Sequence, residues 1–220
     1  MKKMILNEIY DMAKAYSPYQ VFSDWICCSS LAIQNSVTLI HNKAWNDREQ
    51  LYKSTLNKYQ ADAEERFAKM FVWLSALLEE DMTDALGQIF MEGDMGSKVT
   101  GQFFTPFHIS ELTARIALKE TIESFDGSAI PMTEPSAGGG GMIIATAKVL
   151  KEAGINYQKY LDVVAQDLDW KSVYMCYLQC SLLGIKATVV QGDTLIEPFD
   201  ARKTDPAHVM RTPAKMGALL

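Results

Sequence analysis

Metal-binding patterns and long apolar runs are both missing from this sequence of 220 residues. It holds four cysteines and three histidines, but no C-x-x-C pair and no grouped histidines. This argues against a zinc site and indicates reduced thiols in a cytoplasmic protein. No apolar run approaches the roughly 18 residues that a transmembrane helix needs. Acidic residues interrupt the apolar stretch at the N-terminus, so no signal peptide is expected.

An excess of basic residues is also missing. The net charge is −6 and the isoelectric point is near 5.1. A protein that binds nucleic acid on its own is usually basic, because Lys and Arg contacts to phosphates supply much of the affinity. If DNA is a ligand of this chain, a local basic face or a partner protein must supply the grip.

Glycine and proline are scarce in the first part of the chain. Before residue 91 the sequence has only Gly87 and Pro18, which predicts an α-helical N-terminal region over residues 1–90. The clearest helix is predicted at 61–80, where apolar residues recur at three- and four-residue steps; another is expected at 20–40. Such a stripe is typical of core or domain packing, and a protein partner is the alternative.

From residue 91 the pattern changes to alternating helices and strands. Strands are predicted at 129–134, 161–166 and 185–191, and helices at 107–124, 141–153 and 169–183. Strands that alternate with helices predict a parallel sheet with right-handed crossovers, and so an α/β, Rossmann-like domain over residues 91–195. Residues 196–220 contain three prolines and no convincing strand, and are expected to form an irregular C-terminal tail.

The most informative segment is Glu134-Pro-Ser-Ala-Gly-Gly-Gly-Gly-Met142, between a predicted strand and a predicted helix. Consecutive glycines let the backbone turn sharply and approach a ligand closely. The next helix presents free N–H groups that suit a carboxylate or a phosphate. Glu134 would repel a phosphate and accept hydrogen bonds from an ammonium group, which favours an amino-acid-like cofactor. The alternative interpretation is a tight turn that binds nothing.

Two further acids follow the next two predicted strands. Asp167 ends the second strand, where an acid is placed to bind ribose hydroxyls; Asp193 follows the third, where an acid can accept from an adenine amine. Each acid alone is more often a solvated loop residue or a helix cap, as Asp169 is expected to be for the helix beginning at Trp170. Together with Glu134, they match the ammonium, ribose and adenine of S-adenosylmethionine (SAM).

These residues, taken together, carry a resemblance to a known protein family. Residues 99–195 resemble the modification (methyltransferase) subunit of type I restriction-modification systems and the wider adenine-N6 DNA methylase family. Gly101-Gln-Phe-Phe-Thr-Pro106 is similar to the family's G-Q-[FY]-[FY]-T-P segment. Glu134-Pro135, Gly138 and Gly140 match its [DE]-P-x-x-G-x-G loop. The acids at 167 and 193 stand where the family binds the ribose and the adenine.

The resemblance implies a SAM-dependent methyltransferase fold after a helical domain, and methyl transfer from SAM to adenine N6 in DNA within a restriction-modification or phage system. The implied partners are DNA, reached through a partner or specificity subunit, and a protein on the helical N-terminal region, with no membrane and no metal. The implied cofactor-binding residues are Gln102, Phe103, Thr105, Pro106, Glu134, Pro135, Ser136, Gly138, Gly140, Asp167, Leu168, Asp193 and Thr194.

The family's catalytic [ND]-P-P-[YF] motif, which follows a fourth strand, is not found, so the catalytic residues are unassigned. The nearest stretch, Thr204-Asp-Pro-Ala-His208, lacks the second proline and the aromatic ring, and is interpreted as an ordinary Asp-Pro turn. The strands that complete such a sheet are not found either, so a truncated sheet is expected. A catalytically inactive SAM-fold binding or assembly module therefore stays open beside the methyltransferase. A nucleotide-dependent oxidoreductase is a third possibility, disfavoured by Glu134.

Overall fold

The computed structural model describes residues 1–95 and 104–218. Packing divides the chain into two compact units. The first unit is formed by Met1–Asp81 with Ala85–Phe103, and the second by Met82–Asp84 with Phe104–Leu220. The short segment Met82–Asp84 therefore packs with the second unit, although it lies far from that unit in sequence.

The first unit is helical, as the scarcity of glycine and proline predicts. Its helices are α1 (Lys2–Met12), α2 (Pro18–Ser36), α3 (Lys43–Leu56), α4 (Ala63–Glu80) and α5 (Ala85–Glu92). Local chemistry sets where they begin: the Ser17 hydroxyl accepts from the Gln20 amide ahead of α2, and the Asn42 side chain accepts from the Trp45 amide ahead of α3. The helix predicted over 61–80 is confirmed by α4.

The core of the first unit forms around α2 and α4. Phe67, Met70 and Leu74 on α4 are buried, and the buried Trp25 of α2 donates its indole N–H to the Phe67 carbonyl at 3.2 Å. No helix among the described residues is long and apolar enough to cross a bilayer. None of the four cysteines, all of which lie among the described residues, forms a disulfide.

The second unit is a layered α/β structure. Its helices are α6 (Phe107–Ala117), α7 (Lys119–Glu123), α8 (Gly141–Glu152), α9 (Tyr157–Tyr160) and α10 (Trp170–Leu182), and its strands are β1 (Ile130–Glu134), β2 (Leu161–Asp167), β3 (Lys186–Gln191) and β4 (Val209–Arg211). The strand order is β1-β2-β3-β4, with the first three parallel. The predicted α/β, Rossmann-like sheet after a helical N-terminal region is thus confirmed.

The register brings the ends of the parallel strands together. Glu134, the last residue of β1, pairs with Ala165, and Asp167, the last residue of β2, pairs with Gln191 at the end of β3. The carboxyl ends of β1, β2 and β3 therefore form one edge of the sheet, called here the carboxyl edge. In open α/β sheets this edge is where ligands bind.

The C-terminal segment differs from its prediction. Residues 196–220 are expected to contain no strand, but β4 pairs antiparallel with β3, with Val209 opposite Val190. A strand of three residues is too short to show a hydrophobic period, which explains why the sequence does not reveal it. Because β4 runs antiparallel, the residues after it lie at the amino end of β3, away from the carboxyl edge.

At the other side of the sheet, β1 is an edge strand within the described residues. Its second residue is Pro131, which is exposed. Proline has no backbone N–H, and edge strands accept it where that position faces solvent.

Candidate cofactor site

The glycine cluster forms a tight turn between β1 and α8. Gly138 and Gly140 have φ values of 52° and 92°, in the left-handed region that glycine favours. A Cβ would lie 3.1 Å from the Phe104 ring at position 138 and 3.3 Å from Cys176 Sγ at position 140. Backbone conformation and lack of space both call for glycine here, so the loop brings bare backbone to the carboxyl edge.

Asp167 ties this loop to the end of β2. Its Oδ2 accepts from the Gly138 amide at 2.8 Å, and its Oδ1 accepts from the Asp169 amide at 3.0 Å. Each carboxylate oxygen can accept a second hydrogen bond, which leaves capacity for a hydroxyl of a ligand. The residue predicted to bind the ribose therefore also holds the loop, a role that the sequence does not reveal.

Glu134 lies half-buried where β1 ends. Burial raises its pKa above the ordinary 4.5, the Ser136 amide opposes this by donating to Oε1 at 3.3 Å, and the nearby Asp167 carboxylate raises the pKa further. The ionised carboxylate is thus under-solvated and faces a like charge. A cation such as an ammonium group would relieve both effects.

The loop after β3 closes the arrangement. The Thr194 hydroxyl donates to the Pro135 carbonyl at 2.7 Å and so joins the exits of β3 and β1. Asp193 Oδ1 accepts from the amides of Leu195 at 2.9 Å and Ile196 at 3.4 Å, which stabilises the turn that follows. These bonds leave Asp193 Oδ2 uncommitted among the described residues.

Three large apolar side chains stand out from the loops after β2 and β3. Leu168, Leu195 and Ile196 are 66%, 95% and 77% exposed. Leu168 directly follows Asp167, and Leu195 and Ile196 lie two and three residues after Asp193, so apolar side chains lie close in sequence to both acids. A flat ring held at the acids would cover apolar surface there. Leu168 is among the predicted site residues, whereas no motif in the sequence singles out Leu195 and Ile196.

A cavity opens beneath the loop after β3. It has a volume of about 980 Å³, and its lining includes Gln166, Gln191 and Phe199. The Gln166 amide fixes the loop, donating to the Glu197 carbonyl and accepting from the Phe199 amide, both at 2.9 Å. The loop is therefore anchored to β2 as well as to β3.

The segment ahead of α6 lies only partly among the described residues. Thr105 and Pro106 are exposed, and Pro106 stands at the start of α6. Gln102 and Phe103 lie outside the described residues. The contact with the glycine loop is made by Phe104, whose ring lies beside Gly138.

Two buried polar residues behind the loop have no counterpart in the sequence prediction. Asp84 is 4% exposed and lies against Gly139, and Gln179 on α10 is fully buried. The Gln179 amide donates to Asp84 Oδ1 at 2.9 Å and to the Gly139 carbonyl at 2.7 Å. A glutamine within an apolar helix was their only signal, and Asp84 lies too far along the chain to be paired with it from sequence.

The stretch nearest in sequence to a catalytic motif has an ordinary local structure. Asp205 Oδ1 accepts from the Ala207 amide at 2.9 Å, as in an Asp-Pro turn. His208 Nδ1 lies 2.6 Å from Gln191 Oε1, and its ring stacks on Trp170. These contacts support the interpretation of this stretch as a turn.

Thr212 and Pro213 follow β4 and are both buried. The Thr212 hydroxyl donates to the Ile185 carbonyl at 2.7 Å and accepts from the Ala187 amide at 3.0 Å. This polar residue after the fourth strand is therefore bound to backbone at the amino end of β3, on the opposite side from the acids. Among the described residues, no group of three or more His, Cys, Asp or Glu side chains could hold a metal ion.

Solved structures that are similar to this chain include the following two. One is a protein of Listeria monocytogenes described as a class I S-adenosylmethionine-dependent methyltransferase, 15% identical, with a TM-score of 0.44 over 79% of this chain and 54% of that one. The other is the methyltransferase subunit of a type I restriction-modification system from Streptococcus thermophilus, 12% identical, with a TM-score of 0.44 over 94% and 61%. This chain thus spans little more than half the length of either.

No curated protein matches the chain. The family model described as N-6 DNA Methylase matches residues 81–214, which is more than half of the sequence. The match begins just before Asp84, includes the three acids and the glycine loop, and extends past β4. The chain belongs to the N-6 DNA methylase family.

Proposed function

We propose that this chain binds SAM at the carboxyl edge and serves adenine-N6 methylation of DNA in a restriction-modification or phage system. One observation carries the proposal. Carboxylates stand at the ends of β1 and β2, at Glu134 and Asp167, and in the loop just after β3, at Asp193, around a loop of bare glycine backbone. Membership of the N-6 DNA methylase family supports it.

The residues fit the groups of SAM. The raised pKa of Glu134 marks a carboxylate that an ammonium group would stabilise. Asp167 keeps lone pairs for ribose hydroxyls, and Asp193 Oδ2 can accept from the exocyclic amine of adenine. The exposed Leu168 and Leu195 offer apolar surface for the flat adenine ring. The cofactor-binding residues named from the sequence thus remain the candidates, with Leu195, Ile196 and Phe104 added.

SAM, when bound, supplies an activated methyl group on a sulfonium. The chain's own residues bind and orient it: the acids give the edge a negative charge that complements a cationic ligand. None of the three acids is proposed to carry a proton. Glycine backbone at the turn lets the ligand approach closely, and the Asp167 bond to Gly138 keeps this turn formed before any ligand arrives.

DNA and a protein partner belong to the same proposal. With a net charge of −6, the chain as a whole does not attract DNA phosphates, so we assign the grip on DNA to a specificity or other partner subunit, with a local basic face as the alternative. The place of action would be the cytoplasm, where the DNA and the cofactor are found.

A catalytically inactive binding or assembly module is the second candidate, favoured by one observation. The stretch of this sequence nearest to the catalytic motif, at 204–208, forms an Asp-Pro turn in which Asp205 accepts from the Ala207 amide, and His208 contacts Gln191 and Trp170. A module of this kind would bind SAM and act through a partner.

Calorimetric titration of the chain with SAM tests the cofactor site. We expect saturable one-site binding that Glu134→Gln weakens by roughly tenfold or more, because a charge-assisted hydrogen bond to the ligand is lost. Glu120→Gln, an exposed acid on α7, is the matched control and should leave the affinity unchanged. Absence of binding at millimolar SAM by a chain that circular dichroism shows to be folded would refute the proposed function.

Methyl transfer separates the two candidates. Purified chain, genomic DNA and SAM with a labelled methyl group are incubated with and without a candidate specificity subunit, and N6-methyladenine is measured by mass spectrometry. Its formation establishes the methyltransferase. SAM binding without methyladenine, even when a DNA-binding complex with the subunit has formed, favours the assembly module.

A further inference from the structure

Two polar residues that touch no predicted ligand group are buried behind the glycine loop. Asp84 is 4% exposed and Gln179 is fully buried, 95 positions apart in sequence. Burying a carboxylate or an amide costs free energy unless its hydrogen bonds are replaced. Their joint burial at this one loop therefore needs a reason beyond filling space.

Their contacts converge on Gly139. Gln179 Nε2 donates to Asp84 Oδ1 at 2.9 Å and to the Gly139 carbonyl at 2.7 Å. An amide nitrogen carries two hydrogens, so these two bonds use the full donor capacity of Gln179. Gln179 thus joins the buried carboxylate directly to the backbone of the loop.

Asp84 also explains why position 139 is a glycine, which the backbone conformation there does not require. Gly138 and Gly140 need glycine for their positive φ, whereas Gly139 has no such φ. A Cβ on Gly139 would lie 3.0 Å from Asp84 Oδ1 and 3.2 Å from Met175 Cε. On Gly141 it would lie 3.4 Å from Asp84 Oδ2. The carboxylate therefore packs along the inner side of the loop, at the start of α8, where the helix dipole favours a negative charge.

We propose that Asp84 and Gln179 are positioning residues that set the backbone of the glycine loop. Gln179 holds the Gly139 carbonyl inward, and Asp84 fills the space behind it. The amide of the preceding residue, Gly138, then stays on Asp167, and the other side of the loop is left for the ligand. This inference deepens the proposed function, because it takes the glycine loop to be the cofactor loop.

Hydrogen exchange of the ligand-free protein tests the positioning role without any cofactor. In Gln179→Leu we expect the amides of a peptide covering 134–146 to exchange about tenfold faster, because the buried Gly139 carbonyl loses its donor. Ser181→Ala is the matched control, since Ser181 lies on the same helix, is equally buried and has a hydroxyl without a hydrogen-bond partner. Ser181→Ala should leave the exchange rate of this peptide unchanged. The exchange rate of a peptide from β3 should be unchanged in both variants.

Asp84 gives a second test if Gln179→Leu does not fold. Asp84→Asn keeps an acceptor for Gln179 and should preserve the slow exchange, whereas Asp84→Ala should accelerate it by about tenfold. The Kd for SAM is expected to rise by the same factor in Gln179→Leu and Asp84→Ala, and to stay near wild type in Asp84→Asn and Ser181→Ala. A purely structural role would lower the melting temperature while leaving the loop exchange and the Kd unchanged.

The two proposals fail in different ways. If the intact chain does not bind SAM, the proposed function fails, and exchange in the 134–146 peptide still decides the role of Asp84 and Gln179. If SAM binds but this peptide exchanges at the same rate in Gln179→Leu or Asp84→Ala as in Ser181→Ala, the positioning role is overturned and the cofactor site stands.

Discussion

At the residue scale, Glu134 links the cofactor site to pH. Its pKa is raised mainly by burial, so the folded state favours the protonated form. That contribution to the free energy of unfolding is fully present below the unfolded pKa, near 4.5, and is lost as pH rises through the folded pKa. An ammonium ligand has the opposite preference, since it pairs with the ionised carboxylate.

We therefore expect the affinity for SAM to increase as the pH rises from about 4.5 through the raised pKa of Glu134, and to level off above it. In Glu134→Gln the affinity should be lower and nearly flat over this window, because the titrating group is gone. Calorimetry at a series of pH values measures both. Methylthioadenosine, which lacks the amino-acid tail, is the control ligand and should bind wild type without this slope. An unchanged slope in the variant would contradict the assignment of the ammonium to Glu134.

The sequence reveals acids better than it reveals their partners. The positions of Glu134, Asp167 and Asp193 could be predicted because strand ends can be located from hydrophobic runs. The bond from Gly138 to Asp167, and the pairing of Asp84 with Gln179, could not be predicted. Such contacts depend on how the elements pack, and no local pattern records a partner 95 positions away.

At the element scale, β4 shows which strands a hydrophobic pattern in the sequence can predict and which it cannot. β1, β2 and β3 were predicted because their apolar runs alternate with helices of ordinary length. β4 has three residues, of which only Met210 is buried, so no period can be seen in it. Its position depends on Thr212, the residue that follows. The Thr212 hydroxyl hydrogen-bonds the Ile185 carbonyl and the Ala187 amide, and so extends the contact between this segment and β3 beyond β4 itself.

Removing this hydroxyl should loosen β4. For Thr212→Val we expect a loss of about 1–3 kcal/mol in the free energy of unfolding, because the buried Ala187 amide and Ile185 carbonyl each lose a hydrogen bond. Chemical denaturation measures the loss.

Thr212→Ser keeps the hydroxyl and should recover most of the stability. The Kd for SAM should stay within about twofold in both folded variants, since Thr212 lies at the opposite end of β3 from the acids. Strong loss of SAM binding by a stable Thr212→Val would show that Thr212 serves the cofactor site after all.

At the scale of the whole molecule, charge governs what the chain can do alone. A net charge of −6 opposes the approach of DNA, whose phosphates need Lys and Arg contacts. In the proposed function, the acids that suit a cationic cofactor add to this effect, because a target base would have to arrive at the same carboxyl edge. The proposed binding of cofactor and of DNA would thus place opposite demands on the charge of this surface.

We expect the isolated chain to bind a DNA duplex only at low salt, and not measurably near 150 mM salt, a typical physiological level. Fluorescence anisotropy with a labelled duplex measures this, with and without a candidate specificity subunit. Saturation of the chain with SAM should change its affinity for DNA little, since bound SAM adds a net charge of only one positive unit. Tight, salt-resistant binding by the chain alone would mean that DNA is gripped without a partner.

β1, the outermost strand among the described residues, carries one more consequence. A bare strand edge is a template on which another molecule can add its own strand, which is how ordered aggregates begin. Pro131 offers no amide hydrogen there, so a growing ladder is interrupted at the second residue of β1. Pro131 thus makes this side of β1 a poorer template for the addition of another strand.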